Sequence, residues 1–551
     1  MSEGGKIIQA LKERVEAHPE KPALIYLGAR FSYCRLWAWV RSLARALELM
    51  GLGPGDRVMI YLPNCPQWAA AWLAILWRGA AAVPVSPIFP ARELTFVARD
   101  SGAKAIFCTN SNYGYVNQIQ DRTGLKQVIH TTLAEPLPAW KRFAGHLLDR
   151  LPRGRVARGP DLYSFRGLLK TEPSREPVPT RDSDLATILY TGGTIKTPKG
   201  VPYHNEMLWE PFEVQLQVAD LVIPRGRNVS LVAAPMFHIL GLTFALGGLY
   251  LNGETVILLP RLNLDGLLDA VTREKAASLF AGPSLFRMIL EHDRLNLYDL
   301  SSLKYCFTGG DVFPGRVGQR WRERFGIGIC QAYGTTETGG GVSLSPPDRE
   351  NPLQAVGRVL PEKRLRLVDP LTLRDVPAGA VGELLVSSEP MIRSYWNQPE
   401  ETAKSFLELE GRLWYRTGDL MRLDETGYLY FIDRVSDAVV NRGQRISVTE
   451  IETALQEHPA VTASCVVGVP DAEQGERLKA FVVLKDNQSG LAGQELLNWL
   501  ARRLPADQVP EYVEFRDALP RSKVGKLLRR ELRGEERQRL EKGQWDLALD
   551  D

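Results

Sequence analysis

The segment from Tyr190 to Val201 contains the residue types that bind phosphate. It holds two adjacent glycines, three threonines and two lysines, and it follows an apolar, strand-like run. Glycines let backbone N–H groups approach phosphate oxygens, threonine hydroxyls can donate hydrogen bonds, and a lysine adds a compact positive charge. The segment is not a Walker A loop, because Pro198 stands five residues after Gly193. A plain turn is the alternative interpretation. The residues predicted to cradle a polyphosphate are Thr191, Gly192, Gly193, Thr194 and Lys199.

A second group of candidate residues lies further along the chain. Tyr333 closes a strand-like run before Gly334 and could offer an aromatic face to a purine, with a core tyrosine as the alternative. Glu337 follows two threonines, and Mg²⁺ beside phosphates typically uses one or two carboxylates. Two glycines at another predicted strand end, Gly309 and Gly310, would let the backbone lie flat against a ligand.

Several other chemistries lose support. The sequence contains neither His-Glu-x-x-His nor Gly-x-Ser-x-Gly, and its seven histidines show no metal-ligand spacing. Six cysteines are scattered without any Cys-x-x-Cys pair, so we assign them no chemistry. Metallohydrolase and α/β-hydrolase functions are therefore not expected.

The elements that must position these residues follow an α/β pattern. Continuously apolar runs suit strands buried on both faces of a sheet, and the helical patterns between them suit crossover helices. Ligands then gather at the carboxyl ends of the strands. The predicted strands are Arg57–Leu62, Ala105–Thr109, Leu185–Thr191, Asn228–Ala234, Thr255–Leu259 and Leu303–Thr308, and the predicted helices include Pro66–Trp77, Arg92–Asp100 and Val317–Phe325.

Composition indicates an ordinary globular chain of several domains. The 551 residues are 44% hydrophobic and 24% charged, and 68 Lys plus Arg against 65 Asp plus Glu give a net charge of +3. That balance offers no electrostatic case for a nucleic-acid partner. The longest apolar run, Trp68–Trp77, is too short to span a bilayer, and the N-terminus does not resemble a secretory signal. We expect a cytoplasmic protein.

A basic, proline-containing segment between Pro136 and Thr180 interrupts the α/β pattern. Two interpretations stay open: a solvated surface excursion, or an interfacial basic helix that contacts anionic lipid. Beyond Pro352 the pattern changes to short strands and turns, and after Asp433 it becomes compact again. We predict an N-terminal domain over residues 1–433 and a C-terminal domain over residues 434–551.

Taken in order, these motifs resemble the adenylate-forming superfamily, and most of all its bacterial fatty-acyl-CoA ligases. The resemblance covers nearly the whole chain. The motifs that carry it are Gly53–Val58, Leu62–Pro66, Tyr190–Val201, Ala234–His238, Thr308–Asp311, Gln331–Glu337, Tyr415–Leu420, Asp433–Glu452 and Pro520–Leu527.

The resemblance implies a fold and two cooperating domains. The fold is α/β, with a large N-terminal domain of parallel-sheet subdomains plus a small β-barrel-like part. A small, mobile α+β C-terminal domain follows it. The C-terminal domain would swing at about Ser436, and Gly443 would line the pantetheine tunnel.

The resemblance also assigns roles to residues of the nucleotide site. Tyr333 would stack on adenine, with the Gly309 and Gly310 backbone on the opposite face. Thr336 would contact the α-phosphate and Glu337 would bind the metal. The further positions that the resemblance places around ATP are Asp311, Gly334, Thr335, Asp419 and Arg434 on the base and ribose, and Arg445 on phosphate.

Two residues are expected to act on the reacting groups. Lys526, in a Pro-x-Ser-x-x-Gly-Lys pattern, would bridge oxygens that become more negative in the transition state, whereas a surface lysine is the alternative. His238 is expected to act electrostatically and as a gate rather than as a general base.

The chain departs from the family pattern in the phosphate loop. Relatives usually carry threonine and glycine where this chain has Ile195 and Lys196. We expect altered nucleotide handling rather than lost catalysis, because Lys526, Glu337 and Asp419 are retained.

The predicted activity is an ATP-dependent carboxylate–CoA ligase that needs ATP, Mg²⁺ and coenzyme A. An acid and ATP would give acyl-AMP and pyrophosphate, and the CoA thiol would then attack the adenylate. Bulky residues near Trp209, Phe212 and Phe237 favour a hydrophobic acid, of medium or long chain or cyclic. Transfer to a carrier protein and a nucleotide-binding pseudoenzyme remain alternatives. We also allow for weak peripheral membrane contact and for a homodimer.

Overall fold

The structure, a computed structural model, describes residues 5–141, 154–157, 159–191, 198–441, 444–471, 475–485, 491–520 and 527–542. The strands in chain order are β1 (Pro22–Tyr26), β2 (Ala29–Ser32), β3 (Arg57–Tyr61), β4 (Ala81–Pro84), β5 (Ala105–Thr109), β6 (Gln127–Thr131), β7 (Leu162–Ser164), β8 (Leu185–Thr191), β9 (Lys199–His204), β10 (Val229–Val232), β11 (Thr255–Leu258), β12 (Ser278–Ala281), β13 (Tyr305–Gly309), β14 (Ile329–Thr335), β15 (Gly340–Leu344), β16 (Ala355–Val359), β17 (Arg364–Val368), β18 (Gly382–Ser387), β19 (Phe406–Leu409), β20 (Arg412–Leu423), β21 (Tyr428–Arg434), β22 (Val439–Asn441), β23 (Gln444–Ile446), β24 (Val461–Asp471), β25 (Gly475–Leu484) and β26 (Tyr512–Phe515).

Helices alternate with these strands along most of the chain. Four of them are 3₁₀ turns: Asn205–Leu208, Leu295–Leu297, Thr336–Thr338 and Ala506–Gln508, and Leu242–Asn252 is π-helical. The α-helices are Lys6–Ala17, Tyr33–Leu49, Pro66–Trp77, Ala91–Ser101, Tyr113–Gln120, Phe165–Leu168, Glu210–Asp220, Ile239–Gly241, Leu264–Glu274, Pro283–Leu290, Gly315–Phe325, Pro399–Ser405, Val448–Gln456, Gly493–Ala501 and Arg529–Glu541. Among the helices that the structure describes, none has the length and hydropathy needed to cross a membrane.

The α/β class is confirmed, and so is each strand and helix that the sequence predicts. Their ends differ from the prediction by at most two residues: the run Asn228–Ala234, for example, becomes strand Val229–Val232. The helix Pro66–Trp77 is present at its predicted bounds.

The first sheet has seven strands in the order β7-β6-β5-β3-β4-β8-β9. Its neighbours pair in parallel except for β8 and β9, which form an antiparallel pair around the predicted phosphate loop. The register places Thr191 opposite Lys199 and Tyr190 opposite Gly200, so the two strands hold the ends of the loop side by side.

The second sheet has fourteen strands among the described residues, and its path runs from β17 to β2. Strands β14, β13, β12, β10, β11 and β1 pair in parallel along that path. From β15 onward the strands pair antiparallel, and most of them lie beyond Pro352, where the sequence predicts short strands and turns. The parallel part brings the ends of β13 and β14 together, because Gly309 lies opposite Ala332.

One large hydrophobic core joins the two sheets. All twelve residues of the helix Pro66–Trp77 are buried, as expected of a helix that is apolar on every side. The core contains Ile60 of the first sheet and Phe307 of the second. The sheets are therefore packed around shared helices, and the residues at their edges have fixed relative positions.

A third, smaller sheet of five strands is built from β22–β26. It has its own hydrophobic core, which includes Ile451, Leu478 and Leu496. This sheet and its helices follow Arg434, where the sequence predicts the C-terminal domain.

Glu254 is a carboxyl group inside the second sheet's core region, with 2% of its surface exposed. Its Oε2 accepts a hydrogen bond from Asn228 Nδ2 at 3.0 Å and its Oε1 accepts one from Asn252 Nδ2 at 3.2 Å. Removal from water raises the pKa of Glu254 to about 7, although both asparagine bonds oppose the rise. The group therefore binds a proton more tightly in the folded state than in the unfolded state.

This raised pKa predicts that Glu254 makes stability depend on pH. Its contribution is fully present below about pH 4.5 and is lost as the pH rises through about 7, by at most about 3 kcal/mol. Urea unfolding of the wild type and Glu254→Gln, followed by tryptophan fluorescence from pH 5 to 8, should show a difference in unfolding free energy that changes with pH. Parallel pH profiles would contradict the prediction.

Candidate active site

The described ends of the phosphate loop are held by the segment Tyr395–Glu401. The Trp396 backbone N–H donates to Gly200 O at 2.8 Å, and Gln398 Nε2 donates to Pro198 O at 3.1 Å. At Gly200 a Cβ would lie 3.0 Å from Trp396 Cβ, so a glycine allows this close approach. Thr191 Oγ1 donates to Lys199 O at 3.4 Å across the strand pair. Gly192, Gly193, Thr194, Ile195 and Lys196 lie outside the described residues.

Lys199 has two partners in the segment Tyr395–Glu401, which we call the bracing segment. Its Nζ lies 3.2 Å from Glu401 Oε2 and 4.6 Å from the centre of the Tyr395 ring. Bonds from Lys404 and Lys199 hold the pKa of Glu401 below its usual value, so this carboxylate stays charged. The Lys199 ammonium is thereby kept at the start of β9, beside the loop.

The turn that carries Glu337 is fixed by side chains from three other elements. It begins at Thr335, whose backbone N–H donates to Thr338 Oγ1 at 3.3 Å. The side chains that donate to its backbone carbonyls are Tyr203 to Thr336, Lys363 to Thr338 and Gln215 to Gly339. Gln215 also accepts the Gly341 N–H at 2.9 Å. The turn is therefore rigid, and Thr336 and Glu337 project from a defined position.

Glu337 is 7% exposed and is bonded to Tyr395. The Tyr395 hydroxyl donates to Glu337 Oε1 at 2.8 Å. Burial and the neighbouring Glu337 carboxylate both raise the pKa of Tyr395, so the phenol keeps its proton and acts as a donor. Glu337, Tyr395, Lys199 and Glu401 thus form one connected chain of contacts that reaches the start of β9.

Asp419, Tyr333 and Arg434 meet at the neighbouring part of the second sheet. Strand register places Asp419 opposite Arg434, and Arg434 Nε lies 3.2 Å from Asp419 Oδ1. The Tyr333 hydroxyl donates to Asp419 Oδ2 at 2.6 Å. Asp419 raises the pKa of Arg434, and burial followed by Asp419 raises the pKa of Tyr333. The carboxylate is therefore held between a guanidinium and a phenol hydroxyl, with 2% of its residue surface exposed.

Glycines in closely packed backbone lie beside Tyr333. At Gly334 a Cβ would lie 2.1 Å from Gly340 O, and at Gly309 it would lie 3.1 Å from Ala332 O. Gly310 has a φ of +86°, in the left-handed region that favours glycine. Asp311 is exposed, and its Oδ1 accepts the Val312 N–H. The ends of β13 and β14 thus form a flat, glycine-lined edge.

His238 precedes the short helix Ile239–Gly241. Its Nδ1 accepts the Leu240 N–H at 3.3 Å, which places the ring proton on Nε2. Leu240 Cδ1 lies 3.7 Å from the Cβ position of Gly310, so the histidine turn adjoins the glycine-lined edge. In this tautomer the histidine carries a proton that it can donate in a hydrogen bond.

The segment after β21 connects the second sheet to the small sheet. Asp433 is 1% exposed and caps the helix Val448–Gln456: its Oδ2 accepts the Val448 N–H at 2.6 Å and the Thr449 N–H at 3.3 Å. Ser436 is exposed. Arg445 is described only through its backbone, opposite Val440 in β22 and β23. Gly443 and Lys526 lie outside the described residues.

The structure brings together most of the predicted residues that it describes, and it adds others. Sequence reasoning missed the residues that hold them: Tyr203, Gln215, Lys363, Tyr395 and Glu401. Tyr203 lies in the strand that follows the phosphate loop, and its closeness to that loop in the sequence could have marked it as a candidate. Gln215, Lys363, Tyr395 and Glu401 lie on separate elements, and only the fold places them at the site.

Comparison with known proteins identifies the family of this chain. The model of the AMP-binding enzyme family matches residues 11–396, and that of the AMP-binding enzyme C-terminal domain matches residues 450–526. The chain belongs to the AMP-binding enzyme family. The predicted resemblance to adenylate-forming enzymes is thereby confirmed, and the strand-end site described above lies in a chain of this family.

Curated relatives match this AMP-binding enzyme over almost its whole length. It is 32% identical over 541 residues to the long-chain-fatty-acid–CoA ligase of Escherichia coli O6:H1, covering 96% of this chain and 94% of the relative. It is 30% identical over 536 residues to the long-chain-fatty-acid–CoA ligase of Bacillus subtilis, with the same coverage of 96% and 94%. A feruloyl-CoA synthase from Amycolatopsis is 32% identical over 524 residues, covering 94% of this chain and 97% of that protein.

Solved structures show the same fold. ATP-bound MatB from Rhodopseudomonas palustris superposes with a TM-score of 0.84 at 25% identity, covering 96% of this chain and 98% of MatB. The amide bond synthetase McbA from Marinactinospora thermotolerans superposes with a TM-score of 0.80 at 28% identity, covering 96% and 99%.

Proposed function

We propose that this AMP-binding enzyme is an AMP-forming acid–CoA ligase that activates a hydrophobic carboxylic acid. Its substrates are the acid, ATP and coenzyme A. The observation that carries the proposal is the pairing of two buried carboxylates on neighbouring elements: Asp419 beside Tyr333 and Arg434, and Glu337 beside Tyr395, whose ring also contacts Lys199. Similarity to curated acid–CoA ligases over almost the whole chain supports it.

The nucleoside end of ATP fits the group formed by Asp419, Tyr333 and Arg434, which we call the Asp419 cluster. A charged aspartate has two oxygens that can accept hydrogen bonds from the two ribose hydroxyls. Arg434 and Tyr333 orient that carboxylate. The Tyr333 ring and the Gly309–Gly310 edge would take the two faces of adenine, because glycine leaves the backbone flat there. Gly334, Thr335 and Asp311 complete this edge.

We assign the phosphates to Thr336, Lys199 and the phosphate loop. Lys199 supplies a cation at one end of the loop, and we assign Thr191, Gly192, Gly193 and Thr194 to the same cradle. Arg445 would meet phosphate from the C-terminal domain. Ile195 and Lys196 remain the positions at which we expect the handling of ATP to differ from that of relatives.

The donor set at Glu337 fits Mg²⁺ that arrives with ATP. Within the described ranges, no group of three or more His, Cys, Asp or Glu side chains could hold a metal ion. Mg²⁺ keeps several waters and commonly binds through one or two carboxylates and substrate phosphates, so a single buried carboxylate is sufficient. When bound, the ion would neutralise charge on the phosphate oxygens. Glu337 is the residue of this chain that would hold it.

The two half-reactions would share this cleft. In the first, the acid carboxylate attacks the α-phosphorus of ATP, and pyrophosphate leaves. Lys526, on the C-terminal domain, would stabilise the charge that develops on the oxygens around that phosphorus. In the second, the CoA thiol attacks the acyl-AMP carbonyl and AMP leaves. We propose that a swing of residues 434–551 against residues 1–433, at about Ser436, replaces Lys526 by Gly443 between these steps.

His238 and its neighbours would hold the acid. The ring's Nε2–H can donate a hydrogen bond to the acid carboxylate. The ring as a whole could instead gate the path of the CoA thiol. The segment that follows His238 carries an aromatic side chain into the core: Phe244 stacks on Phe280 with ring centres 4.2 Å apart, and it lies 4.8 Å from Phe307. Trp209 stacks on Tyr250 at 6.4 Å. These surfaces favour a hydrophobic acid over acetate.

Location and assembly form a separate part of the proposal. We place the enzyme in the cytoplasm, where ATP and coenzyme A are available. The neutral charge balance gives no support to a nucleic-acid partner. Weak peripheral contact with anionic lipid through the basic segment, and a homodimer, remain expectations from the sequence.

A screen of acids tests the activity. Pyrophosphate release with ATP and Mg²⁺ should be high for acids of medium to long chain or for aryl acids, and low for acetate. Mass detection should find the acyl group on coenzyme A rather than on a carrier protein. If no acid among C2 to C18 chains and aryl acids releases pyrophosphate, the chain is a nucleotide-binding protein without this activity.

The role of Lys526 predicts that its loss affects one half-reaction. Lys526→Ala should reduce acyl-AMP formation by roughly 10²–10³-fold, because it removes a charge that stabilises the transition state. Conversion of preformed acyl-AMP and CoA to acyl-CoA should survive in the same variant. Stopped assays of each step measure the two rates separately, with Lys542→Ala as a control lysine. Equal loss in both steps would argue against the domain swing.

A further inference from the structure

Tyr395 touches two of the groups that the proposed function assigns to ATP. Its hydroxyl donates to Glu337 Oε1 at 2.8 Å, and its ring lies under the Lys199 ammonium at 4.6 Å. Glu337 and Lys199 come from different sheets, on a turn after β14 and at the start of β9. Tyr395 is the side chain through which these two positions are linked.

Tyr395 is itself held in a fixed orientation. It is 4% exposed, and its ring packs edge-on against Phe406 with ring centres 5.6 Å apart. Its backbone N–H donates to Thr402 Oγ1 at 3.0 Å, and that hydroxyl donates in turn to Gln398 O at 2.8 Å. A side chain held in this way transmits its position to the groups that it contacts.

We infer that Tyr395 is a positioning residue for the MgATP site. Its hydroxyl holds Oε1 of Glu337, so that Oε2 faces the Mg²⁺ that accompanies ATP, and its ring holds Lys199 toward the phosphates. The inference rests on the proposed function, because it requires ATP at this site. It assigns separate tasks to the hydroxyl and to the ring.

The physical reason for the hydroxyl's task is the geometry that Mg²⁺ demands. Mg²⁺ requires near-ideal octahedral coordination at short distances, so a ligating carboxylate that rotates freely binds it less well. Loss of a hydrogen bond that orients a metal ligand typically weakens metal binding 10- to 100-fold. The ring's task is different, since a cation over an aromatic face is held whether or not the ring carries a hydroxyl.

The test measures ATP binding by equilibrium dialysis, without acid or coenzyme A. ATP affinity is measured first in EDTA, without free Mg²⁺, and then at increasing Mg²⁺ concentrations. Tyr395→Phe keeps the ring and removes the hydroxyl. We expect it to raise the Mg²⁺ concentration for half-maximal enhancement of ATP binding about tenfold, and to leave ATP affinity in EDTA unchanged. Tyr395→Leu should also weaken ATP binding in EDTA, because the Lys199 ammonium loses its aromatic contact.

Two controls make the result specific. Tyr26→Phe removes a buried hydroxyl that donates to Leu133 O at 3.0 Å, and it should leave both the Mg²⁺ titration and ATP affinity unchanged. In a Glu337→Gln background, Tyr395→Phe should add no further change to the Mg²⁺ titration, because its hydroxyl then has no metal ligand to orient. This second comparison needs only the conservative Phe substitution, so it also serves if Tyr395→Leu fails to fold.

The outcomes separate this inference from the proposed function. A shifted Mg²⁺ titration in Tyr395→Phe that disappears in the Glu337→Gln background supports the inference. A wild type that shows Mg²⁺-dependent ATP binding, together with an unchanged Tyr395→Phe titration, overturns the inference alone. A wild type that does not bind ATP overturns the proposed function, and the inference with it.

Discussion

A buried carboxyl group needs hydrogen-bond partners, and this requirement organises the site around Glu337. The residue is 7% exposed, so its position depends on the groups packed around it. Tyr395 bonds its side chain, while Tyr203, Lys363 and Gln215 hold the backbone of its turn. Because these residues lie on separate elements, the carboxylate is oriented only when the whole N-terminal part of the chain is folded.

The same arrangement connects the first and second sheets. The first sheet supplies the phosphate loop and Lys199, and the second supplies the Glu337 turn and the Asp419 cluster. The bracing segment Tyr395–Glu401 bonds to Gly200 and Pro198 on one side and to Glu337 on the other. A ligand with a charged phosphate end and a nucleoside end would therefore span both sheets, which is consistent with ATP as the substrate.

The sequence predicted much of the fold because its signals are local. Continuously apolar runs identified the buried strands, and the apolar run around Trp72 identified a helix that is buried on every side. Some candidate residues, such as Tyr333, followed from their positions near strand ends, and the role of Asp419 followed from the family resemblance. Local patterns could not show that Tyr333 bonds Asp419, because β14 and β20 are far apart along the chain and meet only in the folded sheet.

The bracing residues were missed for the same reason. Tyr395 and Lys363 have no signature of their own in the sequence, and a buried lysine is not expected from its residue type. Burial lowers the pKa of Lys363, but its bonds to Thr338 O and Ser388 Oγ satisfy the ammonium. Their functions become visible only through the atoms that they contact.

A crystal structure of the full chain with ATP and Mn²⁺ in place of Mg²⁺ tests the central claim most directly. The anomalous signal should place the metal about 2.1 Å from one oxygen of Glu337 and from a phosphate oxygen. The other Glu337 oxygen should remain on the Tyr395 hydroxyl, and the ribose hydroxyls should lie on Asp419. A metal bound away from Glu337, or a nucleotide that does not reach Asp419, would contradict the account.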